Sequence, residues 1–526
     1  MPRNTQRLLS SRDLIYLSIV LGWQVIFQDS YKFELEVTNL VDKNNNSAKI
    51  DITNKIEAGL SILFKEIDRL SPLSRFVAFA GKGLRDKSGN ISDLKRAQEE
   101  VEKIVDSENS KFSSRLFIQL GRVWGQKGLH KEALESFDRS IQLHSDNAEA
   151  YMLRGVALIN LGQYQESLVS LCKAIQLNFY IPNAQRLTGQ ILLYLEQYQE
   201  SIINLDLAIQ LDSDDEEAYI LRGIAFINLK QYSEALSSCD QAILLDRYHS
   251  QSHSIRGIVL VKMEQYNEAL ESLNEAIKIE SNDFQSHKFK GIALVNLSKY
   301  QESLASIDKA IELNKNDIES HTLRGHVLLN LERYQEAISS SDVAIKINPD
   351  DVQASALKGN VLFNLTRYKE AISSCNEAIS IQSSDSNAWN VKALCLSLLL
   401  DYSEAIAAID RAIKLENNEN KSNFTANKGI ILARASRYAE ALECCETSIT
   451  MNPSSEFGYY GKACCYALQG NNELAIEFFQ QAVSRDPNRC CREARTNPDF
   501  DKLRNDERFI AIMERSKYTI DKNLVL

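Results

Sequence analysis

Proline and glycine are scarce, at seven and 20 in 526 residues. Little of the chain can therefore be linker or low-complexity coil. Basic residues are outnumbered: 60 Lys and Arg face 71 Asp and Glu, a formal charge of −11. That balance argues against a nucleic-acid backbone as partner, because phosphate contacts need a basic stripe. Ten cysteines lack both disulfide-framework and zinc spacing, which suits a reducing compartment, most simply the cytoplasm. There is no nucleophile–base motif, no paired-carboxylate site and no dinucleotide fingerprint. The stretch AGKGLRDKSG at 80–89 fails as a phosphate loop, since Asp86 rather than glycine precedes Lys87 and no strand leads into it. The expectation is a non-enzymatic chain with no cofactor and no metal.

What the chain has instead is a repeat. The stretch from Glu216 to Tyr248 reads as two amphipathic helices, with apolar residues at three- and four-residue steps: Tyr219, Leu221, Ala225, Phe226 and Leu229, then Ala235, Leu236, Cys239, Ala242 and Ile243. Gly121, Gly155, Gly189, Gly223, Gly257, Gly291, Gly325 and Gly359 follow one another every 34 residues; Ala393, Gly429 and Ala463 continue the series, with a two-residue insertion near Glu416–Asn423. Numbering each repeat 1–34 from Ser114, position 8 is Gly or Ala and position 20 is Ala or Ser in all eleven copies, while position 17 is Tyr in nine, from Tyr164 to Tyr438. Small residues at fixed spacing let helix backbones approach closely.

A helix–turn–helix period of 34 residues resembles the tetratricopeptide repeat family. The resemblance spans eleven copies over 114–489, although the family's proline at position 32 appears only at Pro349, Pro453 and Pro487. It implies an all-α fold, an α-solenoid wound as a right-handed superhelix. A solenoid must cover its open ends. Residues 48–113, read as the helices Thr53–Leu70, Leu73–Leu84 and Ser92–Asp106, are expected to form an N-terminal helical cap, and 490–526 a C-terminal one. The segment ARTNPDFDKLRNDERF resembles the closing segment of bacterial members, with Phe500, Leu503, Phe509, Ile510 and Met513 plugging the last helix pair. Residues 1–47 are harder to place. The uncharged run Leu14–Phe27 follows Arg3, Arg7 and Arg12, and its fourteen residues fall short of the roughly 20 that span a bilayer. A buried or surface-docked helix is expected, a membrane anchor is the alternative, and no small-residue cleavage site follows that would make it a secretory signal. Lys32–Val41 alternates as a short strand would, and 43–47 reads as a linker.

Function is expected in protein–protein interaction: a scaffold holding a protein or peptide in the concave groove, or alternatively a membrane-tethered assembly or biogenesis factor anchored through residues 14–27. The resemblance implies that positions 2, 5, 9, 12 and 13 of each first helix face the groove, and helical geometry puts them on one side. There the row Ile224, Ile227, Ile258, Val261, Ile292, Val295, Leu329 and Phe363 would form an apolar floor. Asn228, Asn296, Asn330 and Asn364 would offer amides to a peptide backbone. The competing reading is that the apolar residues pack between helices and the asparagines cap helix ends. The family's clamp for acidic carboxyl-terminal tails is missing: Lys288 at position 5 is followed by Ile292 at position 9, and Asn360 at position 9 has Ala356 at position 5.

Three other patterns invite chemistry. Position 7 is basic in nine repeats, and the residue sixteen earlier, position 25 of the preceding repeat, is Asp for every arginine: Asp138 for Arg154, Asp206 for Arg222, Asp240 for Arg256, Asp308 for Arg324. This predicts ion pairs across each repeat junction rather than a ligand ladder. His253, His287 and His321 share position 4, but stacked helix pairs lie too far apart for one metal. They are expected in the half-buried slot of an aromatic. Cys239, Cys375 and Cys445 share position 24 and read as small core residues.

Overall fold

The structure, a computed structural model, describes residues 72–85, 91–105, 110–416 and 420–522. The apolar run at 14–27, the strand at 32–41, the linker at 43–47 and the helix at 53–70 lie outside the described residues. Among those described there is no strand, and no helix is long and apolar enough to cross a membrane. The fold is all-α, a solenoid of consecutive helix pairs.

Each repeat becomes a first helix of about thirteen residues and a second of about fourteen, as in Glu216–Asn228 and Tyr232–Leu245. In six repeats the first helix starts at an Asp or Asn in position 34 of the preceding repeat, whereas Ile181 before Pro182–Tyr194 gives no side-chain cap. Asp215 Oδ1 accepts from the Ala218 N–H at 3.1 Å, and Asn147, Asp283, Asp317, Asp351 and Asp385 cap in the same way, satisfying amides a bare helix end would leave open. The pair turns at position 15, which is left-handed throughout: Gly128, Gly162 and Gly470, but also Glu196, Lys230, Glu264, Ser298, Glu332, Thr366, Leu400 and Ser436.

The glycine series has a steric cause. At position 8 the first helix lies directly on the side chain at position 24 of its own second helix. A Cβ on Gly155 would come within 2.7 Å of Leu171 Cγ, and one on Gly291 within 2.5 Å of Ile307 Cγ1. Cys375 and Cys445 fill the same slot beneath Gly359 and Gly429. Where position 20 is serine, its hydroxyl donates to the position 8 carbonyl, from Ser167 to Gly155, Ser201 to Gly189 and Ser303 to Gly291.

Among the described residues, seven of the nine junction pairs form as the sequence predicts. Arg154 meets Asp138 at 2.6 Å, Arg222 meets Asp206 at 2.7 Å, Arg256 meets Asp240 at 2.7 Å and Arg324 meets Asp308 at 2.6 Å. Lys358, Lys428 and Lys462 pair likewise with Asp342, Asp410 and Glu446. Several arginines also donate to position 23 of their own repeat, as Arg222 does to Ser238 at 3.1 Å. A lone Asp206 would keep little desolvation penalty, because its side chain is 54% exposed; such a pair fixes register and contributes at most about 1 kcal/mol.

The chain divides into two compact units at Val259 and Leu260. In the first, Pro72–Arg85 and Ser92–Val105 build a core with the opening pair through Phe76, Leu94, Val101, Leu116, Trp124 and Phe137. In the second, Pro487–Thr496, a 3₁₀ turn at Pro498–Leu503 and the helix Glu507–Lys522 close the last pair. Phe500, Leu503 and Phe509 pack on Phe479 there, with Met513 at the edge. Ile510, expected in this plug, is 39% exposed, and Ile512 takes its place. The segment is pinned by a buried pair: Arg434 Nε reaches Asp499 at 2.9 Å and Arg434 Nη2 reaches it at 3.0 Å, with Asn497 and Ser397 completing the guanidinium's partners. Burial opposes the Arg434 charge, but Asp499 outweighs it and holds the guanidinium firmly protonated. Bidentate pairs of this kind specify orientation.

Candidate functional site

Within the second unit, the groove-facing positions enclose a cavity of about 1740 Å³. Its walls are the first helices Ile318–Asn330, Val352–Asn364, Ser386–Leu398, Asn420–Arg434 and Phe457–Gln469, and Pro487–Thr496 faces them. Positions 2, 5, 9, 12 and 13 supply the lining: His326, Leu329 and Asn330; Gln353, Asn360, Phe363 and Asn364; Asn387, Asn390, Leu394 and Leu398; Asn423, Ile430 and Arg434. The surface is apolar floor and neutral amide. From the opposite side come Arg489, Arg492, Arg495 and Asn497. Arg495 reaches Glu332 in the turn between Ile318–Asn330 and Tyr334–Ile347 at 3.5 Å, across 163 residues of sequence.

Four of the residues expected in the groove, Leu329, Asn330, Phe363 and Asn364, stand in this wall. Ile292, Val295 and Asn296 belong to the preceding first helix and are not part of the lining. Val295 packs half-buried against the cluster around Leu304, Ile307 and Val327. Val261 is only 8% exposed, so packing claims it and little remains for a ligand. In the first unit Ile224, Ile227 and Ile258 are half-buried and Asn228 is exposed. The asparagine row bonds to its own helix ends. Each Nδ2 donates to the carbonyl four residues earlier, Asn228 to Ile224, Asn296 to Ile292, Asn330 to His326 and Asn364 to Asn360, all at 2.9 Å. Half of each amide thus serves its own helix, and the Oδ1 side is left to accept.

Elsewhere the groove-facing charges are spent on neighbours. In the first unit Arg122 pairs with Glu149 at 2.5 Å, and Arg186 pairs with Asp215 at 3.1 Å and with Glu217. In the second, Lys288 is buried with its ammonium 2.6 Å from Glu319, a physical reason beyond spacing why it cannot serve as a clamp. The cavity wall differs in that positions 2 and 5 of its later repeats are uncharged: Gln353, Ala356, Asn387, Asn390 and Asn423. Asn427 Nδ2 donates to Asn390 Oδ1 at 2.9 Å, linking adjacent first helices.

His326 lines the cavity, and Tyr334 stands two residues beyond the lining residue Glu332. The His326 ring is open to solvent yet surrounded by the concave wall, and desolvation lowers its pKa. Burial pushes the Tyr334 phenol up, Glu332 adds to that, and Arg492 and Arg495 pull it back. The histidine row serves structure: His253, His287 and His321 place Nε2 about 3 Å from the carbonyls of Arg247, Ser281 and Lys315 in the preceding loops. Trp389 donates from the same position to Ser383. Cys239 and Cys375 are buried and their thiols are pushed up to about 12 by desolvation.

Family models described as tetratricopeptide repeat match residues 118–179, 322–388 and 399–456, residues 216–249 and 251–283, and residues 457–489. No curated protein matches the chain. Among solved structures, YrrB, described as a TPR protein with an unusual peptide-binding site, is 23% identical, covering 35% of this chain and 95% of its own with a TM-score of 0.32. MamA from Desulfovibrio magneticus RS-1 is 23% identical over 32% of this chain and 96% of its own, TM-score 0.31. The APC/C hetero-tetramer Cut9–Hcn1 is 13% identical over 87% of this chain and 98% of its own, TM-score 0.43.

Proposed function

Because the chain belongs to the tetratricopeptide repeat family, a fold that typically serves as a non-catalytic scaffold for protein or peptide partners, we propose that it is an interaction scaffold and that its peptide site is the cavity of the second unit. The observation that carries this reading is the lining: an apolar floor from Leu329, Phe363, Leu394 and Ile430 beneath rows of uncharged amides. At about 1740 Å³ the space exceeds the roughly 300–1,000 Å³ typical of small-molecule pockets. Amides on successive helices match a ligand that presents backbone N–H and C=O groups along its length. An extended segment does so, whereas a helix has already paired them. Leu329, Asn330, Phe363 and Asn364 belong to this site. Ile292, Val295 and Asn296, on the preceding first helix of the same unit, would extend the contact surface only for a longer partner.

The test is selection of a displayed random decapeptide library on the full chain, followed by binding of recovered peptides to Asn387→Ala and Asn423→Ala, with Asn228→Ala as control. Each amide lost from the wall should weaken binding by about 3- to 10-fold, the worth of one net hydrogen bond, and the control should bind as the parent does. Peptides that bind all three variants equally would place recognition outside the cavity.

A further inference from the structure

We propose that the cavity selects an extended peptide carrying a carboxylate, and that Arg492 is the residue that reads it. The proposal rests on the cavity being the peptide site. Four arginines line the space, and three are already matched. Arg434 is held by Asp499. Arg489 is shared between Glu493 at 2.8 Å and Glu456 at 3.2 Å, with its guanidinium 3.6 Å from the centroid of the Phe457 ring. Arg495 meets Glu332. Arg492, half-buried on Pro487–Thr496, has no carboxylate partner among the described residues.

Four of the five carboxylates of the lining are similarly engaged. Asp385 and Asp486 cap helix starts through the Ala388 and Arg489 amides, and Glu332 and Glu493 sit in the pairs above. Lys299 and the four arginines thus stand against five carboxylates, Glu302, Glu332, Asp385, Asp486 and Glu493, so in a chain of net charge −11 this stretch of the concave wall is balanced rather than acidic, and Arg492 is its arginine without a carboxylate partner among the described residues. Arg492 lies near enough to Tyr334, at the start of Tyr334–Ile347, for the phenol to feel its charge. A guanidinium presents a planar fork that fits a carboxylate in two parallel bonds, and a half-enclosed setting screens that contact less than open water would. The amides opposite, such as Asn360, are neutral and would not repel the incoming charge.

The experiment uses peptides recovered from the decapeptide library on the full chain. Each enriched Asp or Glu is changed to its amide, and affinity is measured on the parent, Arg492→Gln and Arg492→Lys by fluorescence anisotropy at two salt concentrations. The expected result is enrichment of an acidic residue at one register. Its amide form should bind the parent about 10-fold more weakly or worse and bind Arg492→Gln with little further loss. Arg492→Lys should restore part of the discrimination. Circular dichroism confirms that each variant is folded. Peptides that depend on Asn387 and Asn423 but show no acidic preference, or whose acid-to-amide change costs the same on Arg492→Gln, overturn the role of Arg492 and leave the cavity standing. Recovery of no peptide sensitive to Asn387 or Asn423 overturns both.

Discussion

Alanine at two glycines of the same repeat position should have opposite consequences. At Gly291 a new Cβ would stand 2.5 Å from Ile307 Cγ1, about 1 Å inside ordinary carbon–carbon contact. Ile307 is fully buried, and a β-branched side chain in a helix has essentially one rotamer, so it cannot swing aside. Overpacking of this kind costs about 1–3 kcal/mol, and the better helix propensity of alanine returns about 0.5–1 kcal/mol. Gly291→Ala should therefore destabilise by about 1–2 kcal/mol. At Gly223 the nearest atom is the Cys239 thiol at 3.3 Å, followed by the Ala235 carbonyl at 3.6 Å. There the propensity gain dominates, and Gly223→Ala should be neutral or stabilise by up to about 1 kcal/mol. A solenoid need not unfold as one unit, so the readout is hydrogen exchange at Phe284–Asn296 and Tyr300–Leu313 for the first variant, and at Glu216–Asn228 and Tyr232–Leu245 for the second. Equal losses at both sites would refute the claim that the glycine period reflects contact with position 24.

Leu400 holds a left-handed backbone, φ 67°, with its side chain 71% exposed; Leu400→Gly should stabilise Ser386–Leu398 and Tyr402–Leu415 by about 1 kcal/mol, and faster exchange there would contradict it. The His326 pKa is lowered in the folded chain, so its unfolded form binds protons more readily; the stability it contributes is present above about pH 6.5 and is lost as pH falls through the lower folded value. His326→Gln should remove that part of the acid sensitivity in a pH series of urea midpoints. Of the ten cysteines only Cys172 is exposed, so thiol labelling of the native chain at pH 8 should show one fast site, absent in Cys172→Ser.

The repeat fold was legible because its constraints are local and recur. Gly at position 8, a small residue at 20 and an apolar slot at 24 hold register from Gly121 to Ala463. The junction pairs were legible because Thr188, the neutral member of the basic row in the repeats from Arg154 to Lys462, follows Cys172 where its neighbours follow acids or amides. The two Lys–Asn junctions, Lys290 with Asn274 and Lys392 with Asn376, do not close among the described residues. Lys392 lies over the Trp389 ring instead, 5.2 Å from its centroid. The asparagine row was half legible: the helix-end position is visible in sequence, but the bond back to the fourth carbonyl is not distinguishable from an amide held out for a ligand. Val261 and Val295 have the same spacing as Leu329, and only their neighbours separate packing from lining. The cavity itself was out of reach, since its far wall is Pro487–Thr496, brought to Glu332 by displacements that accumulate repeat by repeat within the second unit.

Hydrogen exchange of the full chain with and without a library-selected decapeptide tests the central claim most directly. Binding in the cavity predicts protection confined to Ile318–Asn330, Val352–Asn364, Ser386–Leu398, Asn420–Arg434 and Pro487–Thr496, with the second helices between them unchanged. Protection centred on the first unit, or on second helices such as Tyr334–Ile347 and Tyr368–Ile381, would contradict it.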